Sequence, residues 1–202
     1  MARGSSSGSS EISPRVLDYV KNLQSGSHAI FYYDSERELI QVFSSYLEGA
    51  LVRGEAVHLI VPNRDAYENF LRNAGVADVG AFERDRRLGS VLISDACVDG
   101  GRLSSAKAIQ SAARLTEEDR ELGFRGTRTI TPDSEQYYLA YGSESDLLRY
   151  ERGLGQTFSL PLSAVCAYNA SKLVGLGLQE LLVNLFEPHG QVIGKGLALP
   201  RV

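Results

Sequence analysis

Short apolar segments recur along the chain, and a longer segment with helical periodicity follows most of them. The segments of strand length span residues 28–33, 55–62, 89–96, 124–132 and 162–169. Several are apolar without alternation, which is typical of strands in a sheet that is covered on both faces. Strands that alternate with helices pair in parallel through right-handed crossovers. The sequence therefore predicts an α/β fold, with a mostly parallel, doubly wound sheet and helices on both faces.

The segments between the strands carry helical spacing and capping residues. In residues 36–53 the apolar side chains fall on one helical face, and Asp34 or Ser35 is the expected N-cap. Ser143 and Asp146 predict a capping box at the start of a further helix. Other predictions are helices over residues 14–24, 64–75, 103–123 and 170–186, and a terminal strand or hairpin over 190–199.

The composition argues against several functional classes. The net charge of −4 and the lack of a lysine/arginine run argue against direct nucleic-acid binding. No apolar run approaches the ~20 residues of a membrane span, and the N-terminus has no secretory signal. Cys97, Cys166 and the three histidines form no short-range zinc motif. We expect a cytoplasmic protein with reduced thiols and no cofactor, folded as one domain over residues 14–202 after a flexible, Gly/Ser-rich tail over 1–13.

A ligand site is expected at the carboxyl ends of the parallel strands, where open α/β sheets bind their ligands. The residues that the predicted strands deliver there are Tyr33, Asp34, Ser35, Pro62, Asn63, Arg64, Asp95, Ala96, Cys97, Thr129, Thr131, Tyr168 and Asn169. Tyr33 and Tyr168 are the strongest tyrosine candidates because both stand at strand ends. Tyrosine offers a flat apolar face and a hydroxyl group, which suits a mostly apolar pocket.

The first strand-to-helix junction decides the question of catalysis. A phosphate-binding loop needs glycines for close backbone approach and a lysine for the phosphates. The sequence YYDSERE has neither, and it places Asp34 and Glu36 where a phosphate would lie. We therefore expect no enzyme activity. A divergent nucleotide-binding protein stays open as an alternative.

Several single residues have two interpretations. Asp95 is a base or metal ligand, or more simply a loop cap. His28 and Glu151 are each ligand contacts or ordinary structural residues, with Glu151 otherwise on a solvated helix surface. Cys97 and Cys166 fit small buried hydrophobic residues better than nucleophiles. His58 is expected in the core, and His189, which follows Pro188, is expected to face solvent.

Five elements in order resemble the MEDS family, the methanogen/methylotroph DcmR sensory domain. His28, Phe31, Tyr33 and Ser35 are similar to its opening pattern, and EGALVRGE (residues 48–55) is similar to its second element. Tyr150–Glu151, CAYN (residues 166–169) and LVNLFEPHGQVIGKG (residues 182–196) resemble its last three. Asn169 stands where the family usually has an acid, and residues 124–138 lack an expected Gly-Glu-Met-like element.

The resemblance implies a RecA/KaiC-like fold that has lost its phosphate loop and serves as a non-catalytic sensor of small hydrocarbon derivatives. It also implies coupling to a kinase or a transcription regulator, reached here through a separate partner protein or self-association. The ligand-binding residues expected on both grounds are His28, Tyr33, Ser35, Asp95, Glu151 and Tyr168. The alternative is an interaction scaffold built on a degenerate ATPase fold, which is expected to form homo-oligomers.

Overall fold

The computed structural model describes residues 11–200. Residues 1–10 of the predicted tail, and residues 201–202 at the end of the predicted domain, lie outside this range. Within it, Ile12 is buried, and its backbone N–H donates to the side chain of Gln41 at 3.1 Å. Ser13 caps the first helix through its side-chain oxygen. Residues 12 and 13 are therefore packed against the domain.

A seven-stranded sheet forms the centre of the fold. In chain order the strands are β1 (His28–Tyr33), β2 (Ala56–Val61), β3 (Leu88–Leu92), β4 (Val98–Asp99), β5 (Arg102–Leu103), β6 (Thr127–Thr131), β7 (Leu162–Asn169), β8 (Gln191–Gly194) and β9 (Leu197–Pro200). The sheet order is β3-β2-β6-β7-β1-β8-β9, while β4 and β5 form a separate small hairpin. All sheet neighbours are parallel except β8 and β9, which are antiparallel. The predicted α/β class with a mostly parallel sheet is confirmed.

Ten helices surround this sheet in the described part of the chain. They are α1 (Pro14–Lys21), α2 (Glu36–Arg53), α3 (Arg64–Asn73), α4 (Val79–Arg84), α5 (Ile93–Ala96), α6 (Ser105–Glu121), α7 (Ser134–Leu139), α8 (Glu144–Leu154), α9 (Ala170–Gly175) and α10 (Gln179–Asn184). Ser35 is the N-cap of α2, and Ser143 with Asp146 forms a capping box on α8. Both capping predictions are confirmed.

The two faces of the sheet are covered by different helices. On β1, Phe31 and Tyr33 pack with α1, α2 and α3, while Ile30 packs with α8, α9 and α10 on the other face. On β7, Ala167 lies on the first of these faces and Cys166 on the second. This division follows from the two-residue period of a strand. The second face, under α8, is the one that matters for the site.

Two predicted elements differ clearly in extent from those observed. The strand predicted over 89–96 ends at Leu92, and Ile93–Ala96 form the short helix α5 instead. The helix predicted over 170–186 is two helices, because Gly177 between them adopts a φ of 77°, which no helix continues through. Helices α4 and α7, and the hairpin of β4 and β5, were not predicted. Each is too short to give a clear period.

Candidate functional site

The six predicted ligand residues lie in four places. His28, Glu151 and Tyr168 converge in the interior of the second face. Tyr33 stands at the carboxyl edge of the sheet on the opposite face. Ser35 accepts a hydrogen bond from the backbone N–H of Glu38 as the cap of α2. Asp95 is exposed on α5, where it accepts a hydrogen bond from Ser94.

Strand register brings His28, Cys166 and Tyr168 onto one face. His28 pairs with Ala164 and Ile30 with Cys166, so every second residue of the two strands points toward α8. Helix α8 carries Glu151 on its buried side. His189 precedes β8, and the N–H of the next residue, Gly190, donates to the carbonyl of His28 at 2.9 Å. Four separate segments therefore meet at one point.

The resulting group, called here the buried cluster, consists of His28, Glu151, Cys166, Tyr168 and His189. All five side chains are buried, and both histidines, Glu151 and Tyr168 are 0% exposed. Oε2 of Glu151 lies 3.5 Å from Nε2 of His28 and 3.6 Å from Nε2 of His189. Sγ of Cys166 lies 3.7 Å from Nε2 of His28. The hydroxyl of Tyr168 donates to Oε1 of Glu151 at 2.6 Å.

Backbone carbonyls determine which nitrogen of each histidine faces the cluster. Nδ1 of His28 lies 2.7 Å from the carbonyl oxygen of Gly155, and Nδ1 of His189 lies 2.7 Å from that of Leu185. Since a carbonyl only accepts, both Nδ1 atoms carry a proton and donate. Both Nε2 atoms are thereby directed at Glu151.

Burial shifts the ionisation of the cluster in opposing ways. Burial favours the neutral acid of Glu151, but His189, His28 and the Tyr168 hydroxyl favour the carboxylate more, so its pKa lies below its ordinary value. Burial, and then the charge of Glu151, raise the pKa of Tyr168 and of Cys166 well above their ordinary values. The cluster thus contains one anion next to a neutral phenol and a neutral thiol.

An apolar cavity of about 60 Å³ lies beside the cluster, between the sheet and α6. Its lining residues are His28, Ile60, Val91, Ala96, Cys97, Ala108, Ile109, Ser111, Ala112, Leu115, Thr129, Thr131, Tyr138, Tyr150, Leu154, Phe158, Leu162, Ala164 and Cys166. His28 and Cys166 belong to both the cavity and the cluster. The hydroxyls of Ser111, Thr129 and Thr131 add a few polar groups to the otherwise apolar wall.

The carboxyl edge of the sheet holds a second, more polar pocket of about 270 Å³ that includes Tyr33. The hydroxyl of Tyr33 donates to Asp133 at 2.8 Å, and burial, with the charges of Glu135 and Asp133, raises its pKa. Nζ of Lys172 lies 2.6 Å from Asp133 and 3.7 Å from Glu135. Glu36 also lines this pocket. The lysine is therefore matched by nearby acids.

Two residues of the buried cluster were not among the predicted ligand residues. Cys166 was expected only as a small buried residue, and it is buried. The prediction that His189 faces solvent is wrong, because the turn before β8 folds it inward against the ring of His28, at a centroid distance of 4.2 Å. Both residues lie in elements that carry the family resemblance, which was the one available signal. Glu151, for which a surface position was the other interpretation, is fully buried.

The fold and this interior site define an α/β domain with a mostly parallel sheet and a buried polar cluster. The chain belongs to the MEDS family, described as the methanogen/methylotroph, DcmR sensory domain, whose model matches residues 27–184. A search of curated proteins found no significant match.

Solved structures resemble this chain in fold. An uncharacterised protein from Pyrococcus horikoshii, PH0321, solved with an unknown peptide, superposes with a TM-score of 0.60 at 13% identity, covering 85% of this chain and 78% of that one. PH0250 from Pyrococcus horikoshii OT3 superposes with a TM-score of 0.55 at 12% identity, covering 89% of this chain and 87% of that one. An ATPase of a bacterial type III secretion system superposes with a TM-score of 0.51 at 12% identity, covering 92% of this chain and 60% of that one. The described residues contain no helix long and apolar enough to span a bilayer.

Proposed function

We propose that this chain is a non-catalytic sensory module that binds a small, weakly polar organic ligand in the apolar cavity between the sheet and α6. The observation that carries the proposal is the contact between this cavity and the buried cluster through His28 and Cys166. Membership of a sensory-domain family supports it. Tyr33, Ser35 and Asp95 lie outside the cavity lining, so we propose ligand contact for His28 and an indirect role for Glu151 and Tyr168.

The size and lining of the cavity suggest the class of ligand. A volume of about 60 Å³ corresponds to roughly four to six water-sized groups. The walls are aliphatic and aromatic, with hydroxyls from Thr129, Thr131 and Ser111. Such a lining favours a compact molecule with one hydrogen-bonding group, because a buried charge without a partner is costly. Short alcohols, aldehydes and halogenated alkanes fit this description.

Two features support binding without catalysis. At the carboxyl edge, where relatives of this fold class place their ligands, Lys172 is matched by Asp133 and Glu135, and no lysine or glycine stands in YYDSERE. In the cavity, burial raises the pKa of Cys97 to about 11 and that of Cys166 well above its ordinary value. Both thiols are therefore protonated at neutral pH and poorly nucleophilic.

A sensory module must pass its state to another molecule, and we propose a signalling protein, such as a kinase or a transcription regulator, as the receiver. The supporting contact is between His189 and the carbonyl of Leu185, which ends α10. The hydroxyl of Tyr32 also donates to the carbonyl of Leu182 in α10, at 2.6 Å. A rearrangement of the buried cluster would therefore shift α10, which is a surface helix.

Thermal stabilisation by a panel of one- to four-carbon alcohols, aldehydes and haloalkanes tests the proposal. At least one class should raise the melting temperature in a saturable way. Ala112→Phe, which fills the cavity from α6, should abolish that response, whereas Ala106→Phe, at an exposed site on the same helix, should retain it. An unchanged response in Ala112→Phe, or no response to any class, would contradict ligand binding in this cavity.

The same experiment includes the enzymatic alternative. Titration with ATP and magnesium should leave the melting temperature of the wild-type chain unchanged. Micromolar binding, with saturation that Ala112→Phe does not alter, would place a nucleotide at the carboxyl edge instead. Light scattering with and without the active panel member then tests whether the ligand changes self-association, and a constant oligomer would favour the scaffold alternative.

A further inference from the structure

We infer that His28, Glu151, Cys166 and His189 form a binding site for a divalent transition-metal ion, and that zinc is the ion their donor atoms fit best. One donor atom from each residue lies within 4.8 Å of all the others, and all four residues are buried. The four come from β1, α8, β7 and the turn before β8. No short sequence spacing could reveal such a site.

The distances within the group match ligands around a common centre. A tetrahedral zinc ion, bound at about 2.0–2.3 Å by nitrogen, oxygen and sulfur, keeps neighbouring ligand atoms about 3.3–3.6 Å apart. The observed separations from Oε2 of Glu151 are 3.5 Å to His28 and 3.6 Å to His189, and the sulfur–nitrogen distance is 3.7 Å. Hydrogen bonds between nitrogen and oxygen are shorter, at about 2.7–3.2 Å. The remaining pairs lie within 4.8 Å and close further around an ion.

Outer contacts orient the ligands as metal sites require. Metal-binding histidines usually donate their other ring N–H to a carbonyl or carboxylate, which sets the tautomer. Both histidines do so here, His28 to Gly155 and His189 to Leu185, each at 2.7 Å. Tyr168 occupies the outer oxygen of Glu151 at 2.6 Å and leaves Oε2 toward the centre. Tyr168 is thus a positioning residue for Glu151.

Charge balance favours an ion at the centre. Because both Nδ1 atoms donate to carbonyls, the two Nε2 atoms and Oε2 of Glu151 are lone-pair donors directed at a common centre in a dry interior. When the ion binds, the Cys166 thiol proton leaves to solvent and a metal–thiolate bond forms. Two negative ligands then balance a divalent cation. Imidazole, thiolate and carboxylate are all donors that zinc accepts, and four protein ligands is the number that a closed zinc site holds.

The site does not depend on the proposed sensory function. It would join two central strands to α8 and to the turn before β8, at one end of the apolar cavity. Zinc binding and ligand binding can therefore be lost separately. Ala112→Phe should lose the organic-ligand response and keep the metal. Failure of the zinc site is therefore distinguishable from failure of the proposed ligand binding.

The test uses the full chain, reconstituted with zinc or with cobalt(II) as a spectroscopic probe. Elemental analysis after dialysis should give one zinc per chain. The cobalt form should show a thiolate-to-metal charge-transfer band and the intense visible bands of four-coordination. Cys166→Ser should lose the charge-transfer band, whereas Cys97→Ser, at the other buried cysteine of the cavity, should keep it.

A second pair of variants tests the histidine ligands and controls for a loss of folding. His189→Gln should lose stoichiometric zinc, whereas His58→Gln, at a histidine paired with Asp119 outside the group, should retain it. Tyr168→Phe keeps the ring packing and should weaken zinc binding about 10- to 100-fold in a chelator competition. Zinc well below one per wild-type chain, a cobalt form without a thiolate band, or equal loss in Cys97→Ser would each overturn the inference.

Discussion

The hydroxyl of Tyr168 offers a quantitative test of the charge inside the buried cluster. It is fully buried and donates to Oε1 of Glu151 at 2.6 Å, a length typical of a hydrogen bond to an ionised carboxylate. Tyr138 lies on the same face, equally buried, but its hydroxyl pairs with the neutral hydroxyl of Thr131 at 3.2 Å. Tyr168→Phe and Tyr138→Phe therefore remove the same atom from two different electrostatic settings.

The two substitutions should differ clearly in cost. A buried hydrogen bond to a charged group contributes about 1.5–3 kcal/mol, and a neutral one about 0.5–1.5 kcal/mol. We expect the free energy of unfolding to fall by about 2–3 kcal/mol in Tyr168→Phe and about 1 kcal/mol in Tyr138→Phe. For a chain of this size the first loss lowers the melting temperature by roughly 4–12 °C.

Urea denaturation of metal-free protein, fitted by linear extrapolation, measures these values. A double-mutant cycle of Tyr168→Phe with Glu151→Gln should give a coupling energy of about 1–2 kcal/mol. Equal losses in the two tyrosine variants, or a coupling energy near zero, would refute the assignment of Glu151 as a buried carboxylate held by Tyr168.

Two further predictions concern the stability of α2 and α8. Gly49→Ala should lower the free energy of unfolding by several kcal/mol, on the order of the cost of overpacking a core. The reason is that an added Cβ would lie 2.0 Å from the carbonyl oxygen of Lys21. Gly175→Ala is the control, because a Cβ there meets nothing within 4 Å, and it should be neutral or slightly stabilising in the same urea assay. Hydrogen bonds from the backbone and then the hydroxyl of Ser143, followed by Arg149, lower the pKa of Asp146 from 3.8 to about 2. Its contribution to stability is therefore complete above pH 3.8 and lost as the pH falls through about 2, so Asp146→Asn should flatten the acid limb of the stability profile, and a wild-type slope there would contradict this.

The strands, their order in the chain and the helix caps could be predicted because they depend on local patterns. Ser35 and Ser143 stand before apolar helical repeats, and each is the observed N-cap. The period of Leu39 and Phe43 likewise predicts the buried side of α2. Such signals need only neighbouring residues.

The buried cluster could be predicted only in part, because it depends on register between distant segments. His28 and Cys166 are 138 positions apart and meet because β1 and β7 pair in a register that places both on one face. A shift of one residue would turn either side chain to the opposite face. His189 is buried by the path of a turn, which no periodicity describes. The burial of Glu151 likewise follows from which side of α8 meets the sheet.

The rule that ligands lie at the carboxyl edge explains why Tyr33 was expected in the site. It stands at that edge, beside a polar pocket whose lysine is matched by Asp133 and Glu135. The apolar cavity lies instead over the face of the sheet, bounded by His28 at the start of β1. The positions of strand ends in the sequence do not show whether a cavity lies at the edge or over the face of the sheet. The packing of the helices on the sheet determines where the interior is left unfilled.

The proposed binding site for a small organic molecule is the cavity between the sheet and α6. Crystals soaked in a short bromoalcohol and measured at the bromine absorption edge test it most directly. We expect an anomalous peak inside the cavity, near His28 and Cys166, that is missing in Ala112→Phe crystals and present in Ala106→Phe crystals. Bromine found only at the protein surface or at the carboxyl edge, with the cavity empty, would contradict it.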